Sequence, residues 1–201
     1  EINTGNNISN VTFAGTTTSF GWRSADGSAT GSRKTITNNT FNNITGGTGA
    51  ITSSLFVGAS DPSFNGNNVS GNTISNITSA GNITCILSDE QNQNFFDNTI
   101  SNVASSAAAA QVAGISFTGG TTQNVYRNKI SNLSATGASA TVQGITVAAG
   151  TTYNIYNNSI GPLSAPQTNL STDAIRGINV TSATANSALN VSFNTIYINA
   201  T

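Results

Sequence analysis

Seven times along this chain an asparagine stands two positions before a large apolar residue, within a shared local pattern. The clearest copy is Asn124-Val125-Tyr126-Arg127-Asn128-Lys129-Ile130-Ser131-Asn132-Leu133. Asn94-Phe95-Phe96-Asp97-Asn98-Thr99-Ile100-Ser101-Asn102-Val103 precedes it by 30 residues, and Asn154-Ile155-Tyr156-Asn157-Asn158-Ser159-Ile160 follows it by 30. The unit recurs as Asn68-Val69-Ser70-Gly71-Asn72-Thr73-Ile74 and as Asn190-Val191-Ser192-Phe193-Asn194-Thr195-Ile196. More divergent copies run over Ile36–Ile44 and Asn6–Val11. The apolar anchors are Ile8, Phe41, Ile74, Ile100, Ile130, Ile160 and Ile196, separated by 33, 33, 26, 30, 30 and 36 residues. Their asparagines are Asn6, Asn39, Asn72, Asn98, Asn128, Asn158 and Asn194. Asn10, Asn43, Asn76, Asn102 and Asn132 extend the pattern two residues past the anchor, and it lapses at Pro162 and Ile198.

A second strand signal lies earlier in each unit. Gly114-Ile115-Ser116-Phe117, Gly144-Ile145-Thr146-Val147 and Gly177-Ile178-Asn179-Val180 alternate apolar and polar residues, the period of a strand with one buried face. Ile83-Thr84-Cys85-Ile86-Leu87 fills the same slot, and alternation aligns Cys85 with Ile115. The run Ala104–Ala110 has helical propensity, but it aligns without a gap to Ser134–Ala140, which contains Gly137; the expectation is an irregular turn.

A repeat of about 30 residues with three short strands cannot bury its own apolar face, so neighbours must cover it. The chain is therefore expected to be all-β, a parallel β-helix solenoid of about 6–7 coils, each adding about 4.8 Å of rise. Constant strands with variable spacing place the length changes in loops. The Asn column is read as an interior ladder at a tight bend: asparagine tolerates the left-handed conformation, bonds its own backbone, and in register can donate to one neighbouring amide while accepting from the other.

With that ladder on the page, the chain resembles the right-handed parallel β-helix superfamily over nearly its whole length. The segments Asn157–Pro166, Gly177–Val180 and Asn194–Thr201 resemble parts of very large Bacteroidetes surface proteins exported by type IX secretion. The resemblance implies right-handed coiling and a secreted, cell-surface or extracellular location. The expected organisation is one β-helix domain over 1–201, uncapped at both ends, a segment or subunit of a longer fibre. Its expected partners are itself, by end-to-end stacking, or flanking repeats, with glycans or other cell-surface molecules as further partners.

Composition narrows the function. Only 6 Lys+Arg and 7 Asp+Glu occur, against 30 Asn, so the surface is coated with neutral polar groups. No basic run is present to neutralise phosphates, which argues against nucleic acid. No apolar stretch is long enough to insert in a membrane as a helix. There is no His, which removes nucleophile–His chemistry from this chain, and a single cysteine, Cys85, is read as a buried hydrophobe. Neither a metal site nor a cofactor is expected.

Two function classes remain. The first is a structural or adhesive segment of a surface fibre. The second is a carbohydrate-binding or polysaccharide-cleaving β-helix, which would need paired carboxylates or a calcium-holding cluster. The acids are Glu1, Asp26, Asp61, Asp89, Glu90, Asp97 and Asp173, of which only Asp89, Glu90 and Asp97 can approach one another. Asp89-Glu90 reads as a solvated turn and Asp97 as the partner of Arg127 one coil on, so the chain is expected not to be an enzyme. Phe96, Tyr126 and Tyr156 form an outward column, the candidate binding residues, which could hold a sugar ring or simply stack and shield the turn. Phe20 and Trp22 precede the regular copies and are expected to pack on a first loop. Thr121-Thr122 and Thr151-Thr152 form a threonine stack too short to suggest ice binding. Asn-x-Ser/Thr sequons such as Asn10-Val11-Thr12 and Asn169-Leu170-Ser171 arise readily in so Asn- and Thr-rich a chain.

Overall fold

The structure, a computed structural model, describes residues 2–25, 33–49, 51–58, 67–89, 91–166, 168–169, 173–182 and 187–199. Among them are twenty strands and no helix. Successive coils contain β1 (Ile2–Thr4), β2 (Asn7–Phe13) and β3 (Ser19–Ala25); then β4 (Thr35–Thr37), β5 (Thr40–Gly46) and β6 (Ile51–Gly58); then β7 (Asn67–Ser70), β8 (Thr73–Ser79) and β9 (Ile83–Ser88). They continue with β10 (Asn92–Phe96), β11 (Thr99–Ser105) and β12 (Gln111–Phe117), and with β13 (Thr122–Tyr126), β14 (Lys129–Ala135) and β15 (Thr141–Val147). The series ends with β16 (Thr152–Tyr156), β17 (Ser159–Ser164) and β18 (Ile175–Val180), followed by β19 (Ala188–Ser192) and β20 (Thr195–Ile198).

Every third strand pairs in parallel, giving sheets of 7, 7 and 6 strands: a parallel β-solenoid. The register sets like on like. Asn94, Phe95 and Phe96 lie over Asn124, Val125 and Tyr126, and these over Asn154, Ile155 and Tyr156. In the second sheet the predicted anchors form one unbroken column from Ile8 and Phe41 to Ile160 and Ile196. Apolar columns fill the interior: Ile36, Val69, Phe95, Val125 and Ile155 from the first sheet meet Ile74, Ile100, Ile130 and Ile145 from the other two, all fully buried. Phe95 packs edge-on against Phe117, with ring centroids 4.9 Å apart. Each coil alone would leave its apolar side chains wet; the neighbours above and below remove them from water, which is the main stabilisation available to a solenoid. In the last described coil the columns run on into Leu189, Val191, Ile196 and Ile198, which are 43–46% exposed.

Two bends shape each coil. Between the first and second sheets the chain turns in two residues. The second is the ladder asparagine; the first carries the left-handed backbone, at Gly5, Asn38, Gly71, Asp97, Arg127, Asn157 and Phe193 (φ +53 to +69°). The left-handed conformation expected of the ladder asparagines thus belongs to the residue before them. The ladder side chain points inward to bond the turn, and its neighbour reverses the chain. The second bend divides the strands of the second sheet at Asn10, Asn43, Asn76, Asn102 and Asn132, each left-handed (φ 54–59°). Pro162 follows Asn132 in this column; its ring cannot take a positive φ, and Gly161 takes it instead (φ +120°).

Three local expectations are settled by the register. The alanine run is not helical: Ala104 and Ser105 close β11, and a turn follows. Cys85 does not lie beside Ile115. Ile83 pairs with Val112 and Ile86 with Ile115, so Cys85 occupies the column of Gly114. Strict alternation misplaces it because these strands turn two successive residues inward at that point, Cys85 and Ile86 in β9 as Gly114 and Ile115 in β12. Phe20 and Trp22 are not outside the repeat; they lie in β3, a regular strand of the third sheet, with Trp22 half-buried against the core.

Candidate functional site

Three features run lengthwise along the solenoid: amide ladders, an aromatic column and a groove. The interior ladder joins all seven predicted asparagines. Asn39 Oδ1 accepts both the backbone N–H and Nδ2 of Asn6, each at 3.0 Å. Asn72, Asn98, Asn128, Asn158 and Asn194 repeat the bond pair with the preceding coil at 2.9–3.1 Å. The second side-chain N–H reaches a carbonyl one coil back, as from Asn98 to Val69 O (2.8 Å), Asn128 to Phe95 O (2.9 Å) and Asn158 to Val125 O (2.9 Å). These amides spend their hydrogen-bonding capacity on the fold, so their role is structural.

Two further ladders lie on the outer surface. In the first sheet, Asn94, Asn124, Asn154 and Asn190 each donate from Nδ2 to the Oδ1 of the asparagine one coil earlier, at 2.8–3.1 Å, starting on Asn68. At the bend of the second sheet, Asn43 donates to Asn10 (2.7 Å), Asn76 to Asn42 (2.8 Å), Asn102 to Asn76 (3.1 Å) and Asn132 to Asn102 (3.0 Å). Both outer ladders donate toward the N-terminus, opposite to the interior one. The periodic Asn68, Asn94, Asn124, Asn154 and Asn190 were visible as the first residue of each sequence copy, but nothing in the sequence said that they face outward and join.

Phe96, Tyr126 and Tyr156 end strands β10, β13 and β16, and the register brings them together as expected. Phe96 and Tyr126 stack with centroids 5.1 Å apart and planes at 3°; Tyr126 and Tyr156 with 5.0 Å and 4°. Ring faces are therefore turned to one another and the column offers its edges and hydroxyls outward. Beside it, Arg127 Nε and Nη2 each meet an Asp97 carboxylate oxygen at 2.8 Å, and the guanidinium lies 4.9 Å from the Tyr126 ring centre. The Arg127 hydrogen bond holds the Asp97 carboxyl below its ordinary range. Partial burial, more than the neighbouring charges, raises Tyr126.

A concave surface lies elsewhere. A groove of about 470 Å³ follows the outer ladder of the second sheet, lined by Asn43, Asn76, Asn102 and Asn132 and by Thr78, Ala104, Ser134 and Ser164, which lie two residues further along their strands than the bend. Pro162 and Asn199 line the end where the ladder stops. No lining residue is charged. Sequence reasoning missed this groove, because concavity depends on the angle of each bend.

Of the acids weighed for catalysis, Asp97 is paired with Arg127 and Asp173 lies 3.6 Å from Arg176. Asp89 directly follows β9, while Glu1, Asp26, Asp61 and Glu90 lie outside the described residues. Among the described residues no three His, Cys, Asp or Glu side chains gather as a metal site. None of the described segments is a helix long and apolar enough to cross a membrane. Cys85 is fully buried, and burial pushes its thiol far above the usual range.

No protein-family model, curated protein or solved structure matches this chain.

Proposed function

We propose that this chain is a length-building segment of a secreted cell-surface or extracellular fibre protein, in which coil stacks on coil to hold an adhesive or exposed part at a distance. The observation that carries the reading is the uniformity of the columns: the same side chains meet along one axis from Asn6 to Asn194, and among the described residues no three His, Cys, Asp or Glu side chains gather to set one coil apart. A surface so poor in charge, 6% of residues, suits a molecule packed among its own copies without self-repulsion. The exposed columns at Leu189, Val191, Ile196 and Ile198 make a template that a further coil, of the same chain or of another copy, can continue in register.

Electron microscopy of the native material tests this. Rods one solenoid wide, lengthening by about 4.8 Å for every coil added to the chain, are the expected result. Compact particles whose longest dimension does not grow with coil number would overturn it.

A further inference from the structure

We propose that copies of this chain pack side by side, with the aromatic column of one copy, Phe96, Tyr126 and Tyr156, seated lengthwise in the second-sheet groove of the next. The proposal goes beyond the length-building reading, because it concerns the flank of the solenoid and not its ends.

Period gives the first argument. The groove crosses coils and its lining residues return once per coil, so an occupant that meets every set must repeat at the coil step, about 4.8 Å. The rings of the aromatic column stand 5.1 and 5.0 Å apart. A second copy therefore meets the groove coil for coil.

Shape gives the second. Phe96, Tyr126 and Tyr156 are only partly buried, and their stacking leaves ring edges to face a neighbour. From Asn43 to Pro162 the groove spans four coil steps, about 19 Å, and about 470 Å³ over that length leaves a cross-section of roughly 25 Å², room for one ring edge at each step. Three rings cover two steps, so the column fits within the length of the groove.

Chemistry gives the third. Asn76, Asn102 and Asn132 each spend one side-chain N–H on an asparagine one coil earlier, and Asn76 and Asn102 accept one such bond in return. A carboxamide has two donors and two lone pairs, so each keeps a donor and an acceptor that the hydroxyls of Tyr126 and Tyr156 can answer. Phe96 needs only an apolar neighbour, which Ala104 or Pro162 supplies. No lining residue is charged, and Arg127 and Asp97 beside the column bind each other, so the contact strands neither ion. Mutual stacking explains why aromatics share a column, yet it does not require a groove of the same period six residues further along each coil.

Column and groove are different surfaces, so the contact is heterologous: each copy inserts with one and receives with the other. A strip a few coils long falls short of the ~1,200 Å² of a stable interface, so the association is weak and depends on concentration.

Sedimentation equilibrium of the 201-residue chain tests the assignment. The native chain should associate as its concentration rises. Ser134→Arg, which puts a long side chain into the groove, and Tyr126→Ser, which interrupts the column, should each weaken association about tenfold. An equimolar mixture of the two should recover it as one-to-one pairs, since one variant keeps its column and the other its groove. Ala104→Arg and Tyr156→Ser carry the test if either first variant does not fold. Ser116→Arg, on the third sheet, should associate as the native chain does. A native chain that stays monomeric, folded variants that associate undiminished, a mixture that recovers nothing, or an equal loss in Ser116→Arg would each overturn the proposal. None of these outcomes bears on rod length, so the two readings fail separately.

Discussion

The side-chain oxygen of Asn128 accepts two hydrogen bonds from Asn98, one from the backbone N–H at 3.1 Å and one from Nδ2 at 2.9 Å, inside a bend that water does not reach. Asn128→Ala strands both donors and also leaves Phe95 O without its partner at 2.9 Å. Unsatisfied buried groups cost about 1–3 kcal/mol each, so a loss of about 3–5 kcal/mol is expected. Asn132→Gly, which removes an exposed ladder member while keeping the left-handed backbone easy, should cost about 1 kcal/mol or less. Urea unfolding midpoints of the two variants check the contrast, and similar losses would show that the interior ladder has no special weight.

Close packing of glycine under the anchors gives a second contrast. A methyl group at Gly144 would sit 2.4 Å from Ile160 Cγ2 and 2.5 Å from Gly177 O, a clash with a fully stacked column and with backbone. Gly144→Ala should therefore destabilise by about 2–4 kcal/mol through overpacking, whereas Gly15→Ala, whose nearest neighbour is at 3.6 Å, should stay within about 0.5 kcal/mol. Thermal unfolding of both variants decides it.

The Asp97–Arg127 pair should leave a pH signature. Arg127 lowers the folded-state value of Asp97 beneath its unfolded one, so the pair's stabilisation is present above the ordinary aspartate range, about pH 4, and fades as pH falls through the folded value. Both side chains are about half exposed, at 46% and 55%, so the effect is small and salt-screened. Stability measured against pH for the native chain and for Asp97→Asn should give curves whose difference shifts toward the variant below pH 4. A constant separation through that range would remove the pair as a stabilising element.

How far the sequence reached depended on which interactions are periodic. Ladder asparagines and anchors repeat at fixed offsets, because each must meet its own kind one coil away, and Asn98, Asn128 and Asn158 superpose as the pattern demanded. Cys85 was misplaced because the strand locally abandons alternation, which only the pairing of Ile83 with Val112 reveals. The left-handed residue was assigned one position late, since Gly71, Asp97, Arg127 and Phe193 share no chemistry that marks the site. The aromatic column was legible as a column, and of the two readings left open for it, holding a sugar ring or stacking on itself, the ring orientation is that of the mutual stack.

That orientation yields a fourth expectation. Tyr126 is stacked on both sides, so Tyr126→Ser should lose two ring contacts and about 1–3 kcal/mol, while Tyr126→Phe should be nearly neutral. A serine variant as stable as the native chain would show that the stack contributes nothing to the fold.

Cys85 supplies a probe of opening. Its buried, protonated thiol should resist an aromatic disulfide reagent in the native state and react once denaturant unfolds the third sheet. Rapid native-state reaction would mean that the core beside it opens readily.

The amide-to-amide bonds of the interior ladder all run in one direction, and every junction it spans presents the same donors and the same acceptor. Coils are thus interchangeable parts. Excision of residues 98–127 would join Asp97 to Asn128 and set Asn72 against Asn128 with the same pair of bonds that it now makes to Asn98. A gene encoding such a chain can shorten or extend its product by recombining between copies, and reach becomes a property inherited by counting rather than by redesign.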